Sequence, residues 1–290
     1  MTLDSLATHH PRLFEAAIRL DRAPALAWLA LQAAALAPTW LWMARRMRDR
    51  SDDPLGLLAL AALAWLVISG RRELRAAPRL GWLALAAAAT LAATLARTGV
   101  GPLPALPPLA AALVAMLALA CALLAFLPRQ LAAWPVAGLA VLALPLLSSL
   151  QFYAGYPLRV VTAEASRWLL APGFEVAREG SSLWVDGRQV IVDAPCSGVQ
   201  MAWLGYFTAC VVALWARRDE RSFLARLPAV GALVLIGNIV RNSLLVALEA
   251  ADQAPAHWLH DAFGLALLTA VCGSIAWVMN QGVRHGHRPA

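Results

Sequence analysis

Long apolar runs set the terms for this chain. Several runs of 17 or more residues hold only apolar residues together with Ala, Gly, Thr or Pro. A run of that length reads as a membrane-crossing helix. Of the 290 residues, 61% are hydrophobic, against about half in a soluble domain. The expected fold is therefore an all-α polytopic membrane protein, with about eight transmembrane helices at roughly 20 residues each. The runs lie near 24–44, 55–69, 80–96, 104–127, 131–150, 197–216, 228–249 and 262–279. The second is short for a bilayer. The first begins near Ala23 and reads as an uncleaved span rather than a signal peptide.

The net charge is +7, and all 24 basic residues are Arg. They cluster in short loops between apolar runs, which fits cytoplasmic anchoring and argues against nucleic-acid binding. Arg71, Arg72, Arg75 and Arg79 mark one inner loop, Arg129 another, and Arg217, Arg218, Arg221 and Arg226 a third. With Arg284 and Arg288 in the tail, both termini are expected inside, which places 151–195 and 250–261 outside. The loop with Arg45, Arg46, Arg48 and Arg50 opposes this scheme, although Asp49, Asp52 and Asp53 accompany it. Of the four cysteines, Cys121, Cys210 and Cys272 lie within apolar runs, where Cys is usually a small hydrophobe. No metal-ligand spacing is present, so neither a metal nor a cofactor is expected.

Residues 151–195 form the one long segment that does not span. Pro157–Leu170 suits an amphipathic helix at the interface, with Arg159 and Arg167 snorkelling. Leu183–Val185 and Arg188–Val192 flank Asp186-Gly187, a type I′ hairpin signal. That hairpin runs straight into Asp193-Ala-Pro-Cys196, at a strand-to-helix junction. The chain thus divides into an N-terminal membrane bundle (1–150), an extracytoplasmic segment (151–195), a catalytic set of three membrane helices (196–280) and a cytoplasmic tail (281–290).

Three reactive residues stand at the ends of the last three apolar runs: Cys196, Arg241 and His260. On the topology above, Cys196 is at the outer end of its span and His260 at the outer start of the next but one. Arg241 is 13 residues beyond Pro228, or roughly 20 Å of helix rise, and so falls in the outer half of a layer about 30 Å thick. All three share one side at similar depth. A thiol at a helix mouth is most often inert, yet a helix N-terminus also lowers thiol pKa. An Arg within a span signals function by default; its structural alternative is an ion pair with Glu249 or Glu164. An interfacial His is commonly just solvated, and His257 competes with His260. Asn238 shares a helix face with Arg241, while Gln200 and Trp203 share that of Cys196; ordinary packing is the favoured reading for Trp203.

If the three meet, Cys196 attacks a peptide carbonyl, His260 handles the proton, and Arg241 stabilises the thiolate or the oxyanion. The pattern Ala194-Pro-Cys196-Ser197-Gly198, Asn238-Ile-Val-Arg241 and His260-Asp-Ala-Phe-Gly264 resembles the exosortase/archaeosortase family of polytopic, transpeptidase-like membrane proteins. Asp52-Asp-Pro-Leu-Gly56 resembles the family's Asp-x-Ser-His-Gly segment but lacks Ser-His. Pro195 also departs from the commonest form, which suggests a divergent subfamily. The resemblance implies a plasma (inner) membrane enzyme. Its substrates would be exported, membrane-anchored proteins with a C-terminal sorting signal of short motif, membrane helix and basic tail. The alternatives are a non-catalytic transporter or envelope-polysaccharide assembly subunit, with Arg241 binding an anion or a partner helix, and a hydrolase that uses Ser197.

Overall fold

A computed structural model of the chain describes residues 23–49, 52, 54–98, 106–191, 197–250 and 257–282, without the side chains of 191 and 257–261. Ten helices and three strands are described: α1 Ala25–Ala35, α2 Ala37–Arg48, α3 Gly56–Ser69, α4 Leu80–Thr98, α5 Pro108–Phe126, α6 Ala133–Leu142, α7 Leu147–Leu170, β1 Val176–Glu179, β2 Ser182–Val185, β3 Arg188–Ile191, α8 Val199–Trp215, α9 Glu220–Ala250 and α10 His257–Asn280.

Every expected apolar run is helical over most of its length, while length and hydropathy support four to six spans among the described residues, against the eight expected. Among the described residues four helices are long and apolar enough to cross a bilayer: α4, α5, α9 and the Ala262–Asn280 part of α10. The total reaches six if each of two bent pairs is one span. With 14 and 17 residues, α3 and α8 fall short of the usual length: at 1.5 Å per residue they rise roughly 21 and 26 Å against a hydrocarbon layer of about 30 Å. The two bends have a cause in the sequence. Pro38 is the second residue of α2; it offers no N–H and its ring crowds the carbonyl four residues back. There α1 and α2 diverge by 60°, and Trp40 Nε1 donates to the Ala33 carbonyl at 2.8 Å. Pro145 lies between α6 and α7, which diverge by 95°. The run expected as a single span over 131–150 is therefore broken at 143–146. The helix expected to start at Pro157 starts instead at Leu147 and passes through Pro157.

The chain parts into two compact units: residues up to Trp42 with Leu66–Pro128, and Met43–Trp65 with everything from Arg129 onward. In the first, α4 packs along α5. Gln32 Nε2 donates to Thr90 Oγ1 at 2.8 Å, and Arg97 Nη2 to Thr39 Oγ1 at 3.0 Å.

The second unit holds the sequence-predicted catalytic segment. Here α8, α9 and α10 pack against one another, with α6 and α7 alongside. Glycines set the spacing. A Cβ on Gly205 of α8 would stand 2.6 Å from Val234 Cγ2 and 3.1 Å from Ile275 Cδ1, and one on Gly237 of α9 would stand 2.3 Å from Val271 Cγ2. Any larger residue would force these helices apart. Helices α7 and α9 are tied by two buried amide-to-hydroxyl bonds one turn apart. Asn238 Nδ2 donates to Thr162 Oγ1 at 3.1 Å and Asn242 Nδ2 to Ser166 Oγ at 2.9 Å. The far end of α10 is clamped by arginines from the α8–α9 turn and the first turns of α9. Arg218 donates to the carbonyls of Met279 and Gln281, and Arg226 to those of Val278 and Gln281, each at 3.1 Å. These are carbonyls that a helix C-terminus leaves unsatisfied. Burial, then the neighbouring Arg226 charge, lowers the Arg218 pKa; a guanidinium nevertheless stays protonated.

The strands form an antiparallel sheet in the order β1-β2-β3. The Asp186-Gly187 hairpin is present, with φ of +48° and +76° at the two turn residues, both in the region a type I′ turn requires. Sequence reading missed β1, which pairs Val176 with Val185 through Glu179 with Ser182. It is short and mostly exposed, so period-2 patterning is faint. One face of the sheet rests on α7 and α9 through Leu183, Val185 and Val190 against Ala163, Leu170 and Val246.

Candidate active site

The candidate site centres on one turn of α9. Asn238 and Arg241 lie three residues apart, so roughly 4.5 Å of rise and most of a turn separate them. Asn238 meets the start of α8. Gly198, the residue before that helix, has φ of +81°, and a Cβ there would stand 2.9 Å from Asn238 Cγ and Nδ2. Only glycine fits both the backbone and the space. Arg241 meets α10. A Cβ on Gly264 would stand 3.5 Å from Arg241 Nε and 3.7 Å from Nη2. His260 is one helical turn before Gly264, on the same face of α10. A single turn of α9 thus touches both the segment that follows Cys196 and the turn that follows His260. Cys196 lies outside the described residues, as do the side chains of His257 and His260.

The remaining sequence-predicted residues take distinct places. Ser197 is buried; its Oγ donates to Gln151 Oε1 at 2.8 Å and accepts the Val199 N–H at 3.4 Å. The hydrogen bond to Gln151 ties the start of α8 to α7. Gln200 is exposed on the first turn of α8. Trp203 is a packing residue, as its pattern suggests: it is buried, donates from Nε1 to the Leu142 carbonyl at 3.2 Å and stacks on Phe207. Glu164, a proposed partner for Arg241, is engaged elsewhere. It accepts from Arg167 Nη2 at 2.7 Å, Arg178 Nε at 2.6 Å and Trp168 Nε1 at 2.9 Å. Glu249 is exposed two turns beyond Arg241.

Two contributions were not legible in the sequence. Gln151, in an unremarkable stretch of α7, holds Ser197, and a side chain on Gly155 would crowd Gln151 Cδ at 3.1 Å. Asp52 supports the same helix from far away in sequence. Its buried carboxylate accepts the Ser148 N–H at 3.3 Å and lies 3.6 Å from Arg46 Nη2. It thereby caps α7, which has no side-chain cap of its own. A Cβ on Gly56 would stand 2.3 Å from the Ala143 carbonyl oxygen at the adjacent bend. So the Asp and Gly of the Asp52–Gly56 segment each have a structural task at the α6–α7 break.

Gly198→Ala is expected to destabilise the protein by about 1–3 kcal/mol, from left-handed backbone strain and the clash with Asn238. Thermal unfolding in detergent should show a lowered Tm together with impaired activity. An unchanged Tm would mean that the junction has room for a Cβ beside Asn238.

Comparison with known proteins adds a family. A family model described as transmembrane exosortase matches residues 42–277, most of the chain. Comparison with curated proteins and with solved structures found no match.

Proposed function

Since this chain belongs to the transmembrane exosortase family, of membrane cysteine transpeptidases, we propose that it cleaves C-terminal sorting signals of exported proteins, with Cys196 as the nucleophile. The observation that carries this reading is the turn of α9 that touches Gly198 through Asn238 and Gly264 through Arg241. Cys196 precedes Gly198 by two residues and His260 precedes Gly264 by one turn, so these two contacts of α9 support a reading in which the motif residues act together at one end of the α8–α9–α10 bundle. The bilayer is the medium of this chemistry, and the site is assigned to its extracytoplasmic face, with both termini cytoplasmic.

In the proposed mechanism the Cys196 thiolate attacks the carbonyl carbon of the scissile peptide. The carbonyl electron pair moves onto oxygen, and Arg241 stabilises that charge; in a poorly hydrated site a guanidinium does so more strongly than in water. Collapse expels the amine, which takes a proton from His260 and leaves a thioester on Cys196. Water or an acceptor amine then releases the acyl group and regenerates the thiol. Asn238 braces the start of α8, and Gln151 holds Ser197.

The test is co-expression with candidate exported proteins that carry a C-terminal membrane anchor. Processing by the wild type, seen as a mass loss of the substrate, is the expected result. Processing that is identical without the enzyme would overturn the reading.

A further inference from the structure

The sheet has one edge that leads directly to the nucleophile. Among the described residues β3 pairs only with β2, and four residues separate Ile191 from Cys196. The turn between β2 and β3 fixes which backbone groups β3 has to spare. In a two-residue type I′ hairpin the residues flanking the turn form a hydrogen-bonded pair, here Val185 and Arg188. Hydrogen-bonded and non-hydrogen-bonded pairs then alternate. Leu183–Val190 is bonded, whereas Trp184–Gln189 and Ser182–Ile191 are not. The N–H and C=O groups of Gln189 and Ile191 therefore point away from β2, toward the outer edge.

This edge is also held rigidly. Leu183, Val185 and Val190 anchor the sheet on α7 and α9. The hairpin turn is pinned to the start of β1 from both sides: Asp186 N donates to the Glu175 carbonyl at 3.0 Å, and Glu175 N to Asp186 Oδ1 at 2.9 Å. A strand fixed in this way presents its outer backbone groups pre-organised for a partner.

We propose that the extended sorting motif of the substrate pairs with β3 as a fourth strand, through the backbone of Gln189 and Ile191. This rests on the reading of Cys196 as the nucleophile. A sorting motif lies between a folded exported domain and a membrane helix, so it reaches the site as extended chain with unpaired backbone groups. Pairing through main-chain bonds would recognise it with little dependence on sequence, leaving side-chain pockets to select the motif. At 3.3–3.6 Å per residue, the five steps from Ile191 to Cys196 span at most about 18 Å. The scissile bond therefore falls within about five residues of the paired segment. A second copy of the chain is a poorer occupant, because a four-residue strand buries far less than the roughly 1,200 Å² of a stable interface.

The experiment uses full-length enzyme in nanodiscs and peptides that span the cleavage motif of a substrate the wild type processes. Backbone N-methylation, moved one residue at a time, is expected to raise KM at least tenfold at alternate positions and little at those between. Gln189→Pro removes one outward N–H at an edge position where proline is tolerated. It is expected to raise KM between tenfold and a hundredfold, with the loss falling on KM rather than kcat. A flat N-methyl profile overturns the proposal, and so does a normal KM in a Gln189→Pro enzyme of native Tm. So does a change of oligomeric state in that variant with peptide KM unaltered, since a second copy would then be the occupant. Cleavage that survives Cys196→Ala would defeat the nucleophile assignment while a period-two profile still stood, so the two readings fail separately.

Discussion

Cys196→Ala is expected to abolish processing of a co-expressed anchored substrate, with a loss of at least about 10⁴-fold in turnover, the scale on which removing a covalent nucleophile acts. The protein should remain as stable as the wild type. The contacts that fix the start of α8 are made by Ser197 with Gln151 and by Gly198 with Asn238, none of which the substitution touches. Cys196→Ser separates two explanations. A hydroxyl is close to the thiol in size but lacks its acidity, so turnover should stay almost as low as in the alanine variant. A thiol-reactive probe should label Cys196 in the wild type and be blocked by a substrate-derived aldehyde. Full enzyme-dependent processing by Cys196→Ala would leave the hydrolase that uses Ser197 as the surviving reading, and processing that needs no enzyme would leave the non-catalytic ones, transport or polysaccharide assembly.

The helices were legible because their signal is dense. Apolar runs of bilayer scale survive any local irregularity, and Pro38 and Pro145 only bend them. The span count was less legible, because length per run is what decides it. Residues 56–69 and 199–215 are largely apolar but shorter than a usual span. The hairpin could be read because Asp186-Gly187 must adopt positive φ at both positions. Among the motif residues only Arg241 stands out by cost, because a guanidinium within a span is expensive unless it is used; Cys196 and His260 were singled out by their order and spacing relative to it. What escaped was the support beneath them. Asp52 capping α7 and Gln151 holding Ser197 are contacts between residues 96 and 46 positions apart. Each residue type is common in loops and helices, so no local pattern marks it.

Arg241→Ala is expected to lower kcat by about 10²–10³-fold, the magnitude seen when a preorganised oxyanion donor is removed. Much of that loss should remain in Arg241→Lys. The guanidinium turns its Nε–Nη2 edge toward Gly264: a Cβ built there would stand 3.5 Å from Nε and 3.7 Å from Nη2, with Cζ farther at 3.9 Å. An ammonium on a flexible stem offers neither that planarity nor two fixed donors. The functional and structural roles of this arginine make opposite predictions about where the loss appears. If Arg241 stabilises charge on the reacting carbonyl, both variants lower kcat while KM and Tm stay close to wild type. If it serves to pack α9 against α10, both variants lower Tm, and activity recovers under conditions that restore the fold. Alkylation of Cys196 as a function of pH gives a second measure. A guanidinium beside the thiol favours its anion, so Arg241→Ala should move the alkylation midpoint to higher pH. A midpoint that stays put while kcat falls would restrict Arg241 to the oxyanion. If kcat, midpoint and Tm are all unchanged, Arg241 has no part in the chemistry, and the convergence of α8 and α10 on its turn of α9 would be packing alone.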